Sequence, residues 1–101
     1  MKTVMVRYKT RPECAADNEA LIKNVFDALA RERPAGLQYR AFRLADGVSF
    51  VHLARIEERE DGHPLLKLEA FQQFLAGIRA RCEEPPASLE LTPLGRFESW
   101  D

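Results

Sequence analysis

From Thr3 to Lys9 the chain alternates, with Val4, Val6 and Tyr8 on one parity and Thr3, Met5, Arg7 and Lys9 on the other. That period of two predicts a strand with one strongly apolar face. Thr10-Arg11-Pro12-Glu13 follows as a capping box, in which the threonine oxygen and the glutamate carboxylate satisfy free amide donors. Pro12 suits a first helical turn, where its missing donor is not needed. The spacing then predicts a helix to about Arg33, with Cys14, Asn18, Leu21, Val25 and Leu29 three or four apart and Ile22 and Phe26 widening the stripe. Pro34-Ala35-Gly36 stops it, with Gly36 available for a left-handed turn.

Leu37–Leu44 and Val48–Glu57 read as two strands joined at Ala45-Asp46-Gly47, and an Asp-Gly pair between alternating runs is a strong hairpin signal. Val48, Phe50, His52, Ala54 and Ile56 share one face of the second strand, and Val51 and Leu53 lie on the other. The charged run Glu57–His63 reads as a surface loop. A second helix falls within Pro64–Glu84, most firmly from Leu68, with Leu68, Phe71, Leu75, Ile78 and Cys82 as its stripe and Phe74 beside it. Pro85-Pro86 is expected to end that helix. The last segment, Ser88–Trp100, begins as a strand through Leu89 and Leu91, and Pro93 places it at an edge or a bulge.

The order is strand, helix, strand, strand, helix, strand. This is an α+β, ferredoxin-like βαββαβ domain with a four-stranded antiparallel sheet and both helices on one face. Right-handed crossovers put the first and third strands in the centre. Yet the face away from the helices carries Met5, Phe42, Leu44, Val51 and Leu53. Burying side chains of that kind stabilises a fold by about 1.5–3 kcal/mol each. A homodimer packed sheet against sheet is the simplest way to cover them.

The 101 residues make one domain, 1–101. A formal net charge of -1 gives no global attraction to nucleic acid or anionic membrane. The apolar run at the N-terminus is too short for a membrane span or a signal-peptide core, so a cytoplasmic protein is expected. Two cysteines, Cys14 and Cys82, suit a reducing compartment and make no disulfide framework.

The arrangement, the length and the opening run Thr3-Val4 through Thr10-Arg11-Pro12 resemble the antibiotic biosynthesis monooxygenase-like group of dimeric α/β-barrel proteins. The resemblance implies a homodimer whose two sheets form a barrel, with a pocket in each protomer between helices and sheet. Relatives include cofactor-independent oxygenases of polycyclic aromatic and quinol substrates, and haem-degrading enzymes. The haem-degrading branch uses an asparagine on the first strand, where this chain has Val6, and a tryptophan and a histidine in a region matching residues 64–84, which contain neither. That activity is not expected. No residue role transfers from the other oxygenases.

The candidate ligand-pocket residues are Tyr8, Asn18, Tyr39, His52 and Phe74. A neutral imidazole at His52 offers a base toward a phenol or a hold on a ligand oxygen; otherwise it is a hydrogen-bonded histidine of the sheet or dimer core. Tyr8 and Tyr39 are either phenolic donors to a pocket or core rings with one partner each. Asn18 interrupts an apolar stripe, so it either faces a pocket or satisfies a nearby carbonyl. Phe71 and Phe74 suit the core better than an aromatic cage, and His63 in its polar loop reads as surface. Arg7, Arg40 and Arg55 share the outer parity, as an anion site near a dimer axis or as glutamate partners at a barrel rim. Antiparallel helices would bring Cys14 toward Cys82, either as a redox pair or as two small apolar residues.

Two thiols and two separated histidines are no zinc pattern, so no metal is expected. There is no phosphate-binding glycine loop and no nucleophile elbow, and no cofactor is expected. Two functions fit these residues. One is a cofactor-independent monooxygenase of an aromatic or quinone-like small molecule. The other is a non-catalytic dimer that binds a small apolar ligand or a partner, for which a closed or purely apolar cavity is expected.

Overall fold

The alternating run at the N-terminus becomes β1 (Lys2–Thr10), and the chain continues through a 3-10 turn (Pro12–Cys14), α1 (Ala15–Glu32), β2 (Leu37–Arg43), β3 (Ser49–Ile56), α2 (Glu69–Ala76), α3 (Ile78–Arg81) and β4 (Cys82–Leu91). The structure is a computed structural model that describes residues 1–57 and 62–97. Parts of the expected Glu57–His63 loop and of the tail to Trp100 therefore fall outside the described residues. The sheet order is β2-β3-β1-β4 and every pair is antiparallel, with β1 and β3 in the centre. This is the ferredoxin-like α+β arrangement that the pattern predicts.

The Asp-Gly turn fixes the register of β2 on β3. Its pairs run from Arg43↔Phe50 to Leu37↔Ile56, symmetric about the Asp46–Gly47 bond. Asp46 accepts hydrogen bonds from the amides of Val48 and Ser49 at 2.9 and 2.8 Å and from the Ser49 hydroxyl at 2.6 Å. Those three donors hold its carboxyl down at a pKa of about 2. Gly47 supplies the positive φ of 78° that the turn requires.

Three local expectations change. The capping box does not form: Thr10 stays in the sheet, and its hydroxyl donates to the Val48 carbonyl at 3.1 Å instead of capping a helix. The second helix is shorter than its pattern suggests. It breaks at Gly77, ends at Arg81, and hands Cys82 to β4, where it pairs with Thr10. Pro85 and Pro86 therefore lie inside a strand rather than beyond a helix. An edge strand tolerates them because they fall in a register shift opposite Tyr8, between the pairs Arg7↔Ala87 and Lys9↔Glu84. Of the expected stripe Leu68, Ile78 and Cys82 are buried and Phe71 is half-buried, but Leu75 is exposed and Phe74 is buried in its stead.

The core lies between the sheet and the helices, built from Tyr8, Val25, Ala28, Phe50, Leu65, Leu68, Phe74, Ile78 and Cys82. On the opposite sheet face, Leu53, Met5 and Leu89 form a row across three adjacent strands, with Phe42 and Val51 beside it. Phe42 and Leu89 are 39% and 53% exposed in the single chain.

Phe50 anchors the helix-facing side, 1% exposed and stacked on Tyr8 at 5.5 Å between ring centroids. Truncating a fully buried ring leaves a cavity that a dense core fills poorly, so Phe50→Ala is expected to lower the unfolding free energy by about 3–5 kcal/mol. Urea titration followed by circular dichroism measures this.

Candidate functional site

Period-two geometry brings the site together. On β3, His52 faces the helices, and its direct neighbours are Val6 on β1 and Ala41 on β2. Both are small, which leaves room for the ring. Tyr8 pairs with Phe50 and Tyr39 with Ala54, each two residues from His52 in opposite directions. Residues in such diagonal positions meet when their side chains are long. The two hydroxyls accordingly reach the two ring nitrogens: Tyr8 Oη is 2.8 Å from Nε2, and Tyr39 Oη is hydrogen-bonded to Nδ1.

The chain of polar groups continues away from Tyr39. Asn18 on α1 donates from Nδ2 to Tyr8 Oη at 2.9 Å. Arg81, the last residue of α3, donates from Nε to Asn18 Oδ1 at 3.2 Å and from Nη2 to the Phe74 carbonyl at 2.6 Å. Its guanidinium also stands over the Phe74 ring, 5.3 Å from the centroid. Gly77 allows this position, since a Cβ there would come within 3.0 Å of Arg81 Nη1. Five side chains from five elements thus form one line, Arg81–Asn18–Tyr8–His52–Tyr39.

This line borders a cavity of about 670 Å³ between sheet and helices, well inside the size range of small-molecule sites. Tyr8, Tyr39, His52 and Phe74 line it, and Val4, Val6, Leu65, Phe71 and Ile78 make its walls apolar. Asn18 is fully buried behind Tyr8 and is not part of the wall. Of the five candidate residues, four meet the cavity and Asn18 acts on it through Tyr8. Lys2, Glu57 and His63 stand at the other end, three inward-facing positions along β1 from Tyr8. His63 is half-buried rather than a plain surface residue, and its Nδ1 accepts from the Leu65 amide at 3.1 Å.

Arg81 was not legible as a site residue. In a helix extended to Glu84 it is one more basic side chain near the end, and only the break at Gly77 and the start of β4 turn it inward. One of the outer arginines also differs from expectation. Arg55 donates to Gln38 Oε1 at 3.2 Å rather than to a glutamate, and its buried Nε has no partner among the described residues. Cys14 and Cys82 are free thiols, and Cys14 lies near enough to add to the burial that pushes the Cys82 thiol up.

Burial dominates the electrostatics. Desolvation lowers the His52 pKa to about 4 and raises both tyrosine hydroxyls well above their ordinary value. For Tyr8 the Asn18 hydrogen bond and the Arg81 charge oppose this without reversing it. Every member of the line except Arg81 is therefore neutral near pH 7. A free phenol titrates near 10. Moving its proton onto an imidazole of pKa about 4 is uphill by roughly 8 kcal/mol, at 1.36 kcal/mol per unit. Both nitrogens are engaged by tyrosine hydroxyls, so the structure favours the second of the two sequence readings for His52, a hydrogen-bonded histidine, over a free base. It is the centre of a neutral hydrogen-bonded wall.

No protein-family model and no curated protein matches the chain. Solved structures do, and they show its fold: the ferredoxin-like α+β arrangement also found in proteins named antibiotic biosynthesis monooxygenases. Rv0793 from Mycobacterium tuberculosis is similar at 22% identity and a TM-score of 0.74, over 96% of this chain and 98% of that one. An antibiotic biosynthesis monooxygenase is similar at 18% identity and a TM-score of 0.73, over 94% and 100%. SnoaB, a cofactor-independent oxygenase from Streptomyces nogalater, is similar at 17% identity and a TM-score of 0.69, over 97% of each chain. At these identities the likeness is one of fold. No helix of the described residues is long and apolar enough to cross a membrane.

The buried imidazole makes stability depend on pH. The unfolded chain protonates His52 near its ordinary 6.5 and the folded chain only near 4. Stability is therefore complete above pH 6.5 and falls as the pH drops toward 4, by about 3 kcal/mol from this residue. Urea midpoints between pH 7.5 and 4 should show this decline, and His52→Gln should flatten most of it.

Proposed function

We propose that this protein is a cofactor-independent oxygenase of a polycyclic aromatic or quinol-type small molecule, bound in the cavity between sheet and helices. The observation that carries the reading is the neutral Tyr8–His52–Tyr39 group set into the wall of a ligand-sized cavity whose surroundings at that end are apolar. A binder of purely apolar ligands gains nothing from a buried five-residue network, since each polar group removed from water must be satisfied at some cost. An aromatic ketone with an acidic ring methylene fits the arrangement. Its ring proton passes to water at the open cavity mouth, and the enolate left behind is electron-rich enough to reduce dioxygen directly. One methylene and one dioxygen become one ring carbonyl and one water, a balance that needs no external reductant. The protein's contribution is to hold the ring against Phe71 and Phe74 and stabilise the enolate oxygen.

Anthrone serves as the probe. With flavin, haem and metal absent and a chelator present, an oxygen electrode should record one dioxygen consumed per anthrone converted to anthraquinone. Tyr39→Phe should lower kcat/KM by roughly 100-fold. A rate no greater than that of anthrone in buffer, with anthrone still retained in equilibrium dialysis, would leave a binder without oxygenase activity.

The working form in this proposal is a homodimer in a reducing, cytoplasmic compartment, where both thiols stay free. The apolar row Leu53, Met5 and Leu89 supports it, since it lies on the sheet face without helices. Sedimentation at micromolar concentration should give a dimer for the wild type and a monomer for Leu53→Glu.

A further inference from the structure

The line of hydrogen bonds has a direction, set by the donor at its far end and by the deeper burial of Tyr8. A guanidinium only donates. Arg81 Nε lies on Asn18 Oδ1, so that atom is the amide oxygen and the Asn18 amide nitrogen faces Tyr8. The amide nitrogen also only donates, which makes Tyr8 Oη an acceptor there. Tyr8 Oη has a second lone pair for Nε2, but Tyr8 is only 2% exposed whereas Tyr39 is half-buried, so the hydrogen without a protein acceptor belongs on Tyr39 and the Tyr8 hydrogen on His52 Nε2. A neutral imidazole that accepts at Nε2 carries its hydrogen on Nδ1. That hydrogen goes to Tyr39 Oη. The Tyr39 hydroxyl hydrogen is left over, with no acceptor among the described residues, on a side chain that lines the cavity.

We infer that the line runs Arg81→Asn18→Tyr8→His52→Tyr39, and that it presents the Tyr39 hydroxyl to the cavity as a donor matched to a carbonyl or enolate oxygen. This rests on the cavity being the ligand site, and it narrows the ligand class. A ring ketone or its enolate accepts the bond, whereas a plain hydrocarbon of the same shape leaves a donor unmatched. Asn18 and Arg81 are positioning residues. Neither touches the cavity ligand, and their role is to set which end of the imidazole holds its hydrogen.

Asn18→Asp tests this at nearly constant shape. The carboxylate still accepts from Arg81, but it now also accepts the Tyr8 hydrogen. Tyr8 Oη then accepts from Nε2, Nδ1 becomes bare, and Tyr39 must donate to it, leaving only an acceptor on the cavity side. The ring 15N spectrum of His52, assigned against His63→Gln at neutral pH, is expected to show hydrogen on Nδ1 in the wild type and on Nε2 in Asn18→Asp. In parallel, equilibrium dialysis should show 9-fluorenone bound roughly tenfold more tightly than fluorene by the wild type, with the preference lost in Asn18→Asp and in Tyr39→Phe. Hydrogen on Nε2 in the wild type overturns the inference by itself, whether or not the variant folds. An unchanged tautomer in a folded Asn18→Asp, or equal binding of ketone and hydrocarbon by the wild type, overturns it as well. None of these readouts requires turnover, so failure of anthrone oxidation would count against the oxygenase reading alone.

Discussion

An imidazole enclosed by rings and aliphatic side chains is tolerable only if both of its nitrogens are satisfied, and the rest of this structure is arranged around that requirement. His52 is 5% exposed, packed at 5.4 Å from Phe74 and flanked by Tyr8 and Tyr39. One nitrogen must accept and the other must donate, so two partners of adjustable polarity are needed. Hydroxyls provide that, and the tyrosines bring apolar rings with them. Satisfying the tyrosines in turn recruits Asn18 from α1 and Arg81 from the end of α3. A group that is awkward to bury has thereby tied three strands and two helices to one another.

The same arrangement gives the cavity its chemical character. Around His52, burial depresses the histidine and raises the tyrosines, so that side of the pocket stays neutral over a broad pH range. A fixed dipole aimed at a developing anion stabilises it without the reorganisation that water requires. The one permanent charge of the line, Arg81, stands at its far end. It polarises the bonds without contacting whatever fills the cavity.

Much of the fold was legible because its signals are local. Alternation in Thr3–Lys9, the Asp46-Gly47 turn and the stripe from Asn18 to Leu29 each dictate an element from neighbouring residues. The turn also fixes Tyr39 diagonal to His52, because hairpin register follows from the loop. The register of β1 on β3 follows from no loop, so the meeting of Tyr8 with His52 was not readable. The position of Arg81 was hidden for a related reason. Apolar spacing continues through Ile78 to Cys82, and a helical period does not reveal that Gly77 breaks the helix or that Cys82 opens a strand. Likewise, Thr10 has the composition of a helix cap but is held by β1. Tertiary pairing outweighed a local propensity in each case.

Pro85 and Pro86 make the β4 edge a poor template for further strands. Amide donors along a strand point alternately toward and away from its neighbour, so two consecutive prolines silence one on each side. The inward gap is absorbed by the register shift opposite Tyr8. The outward gap leaves any strand approaching from solvent with a missing rung at mid-length. Growth of the sheet sideways into fibrous or open-ended assemblies is thereby discouraged along that edge, while the broad face carrying Leu53, Met5 and Leu89 stays free for closed association. One of the two sheet edges is thus closed to further strands by two residues whose local reading was simply the end of a helix.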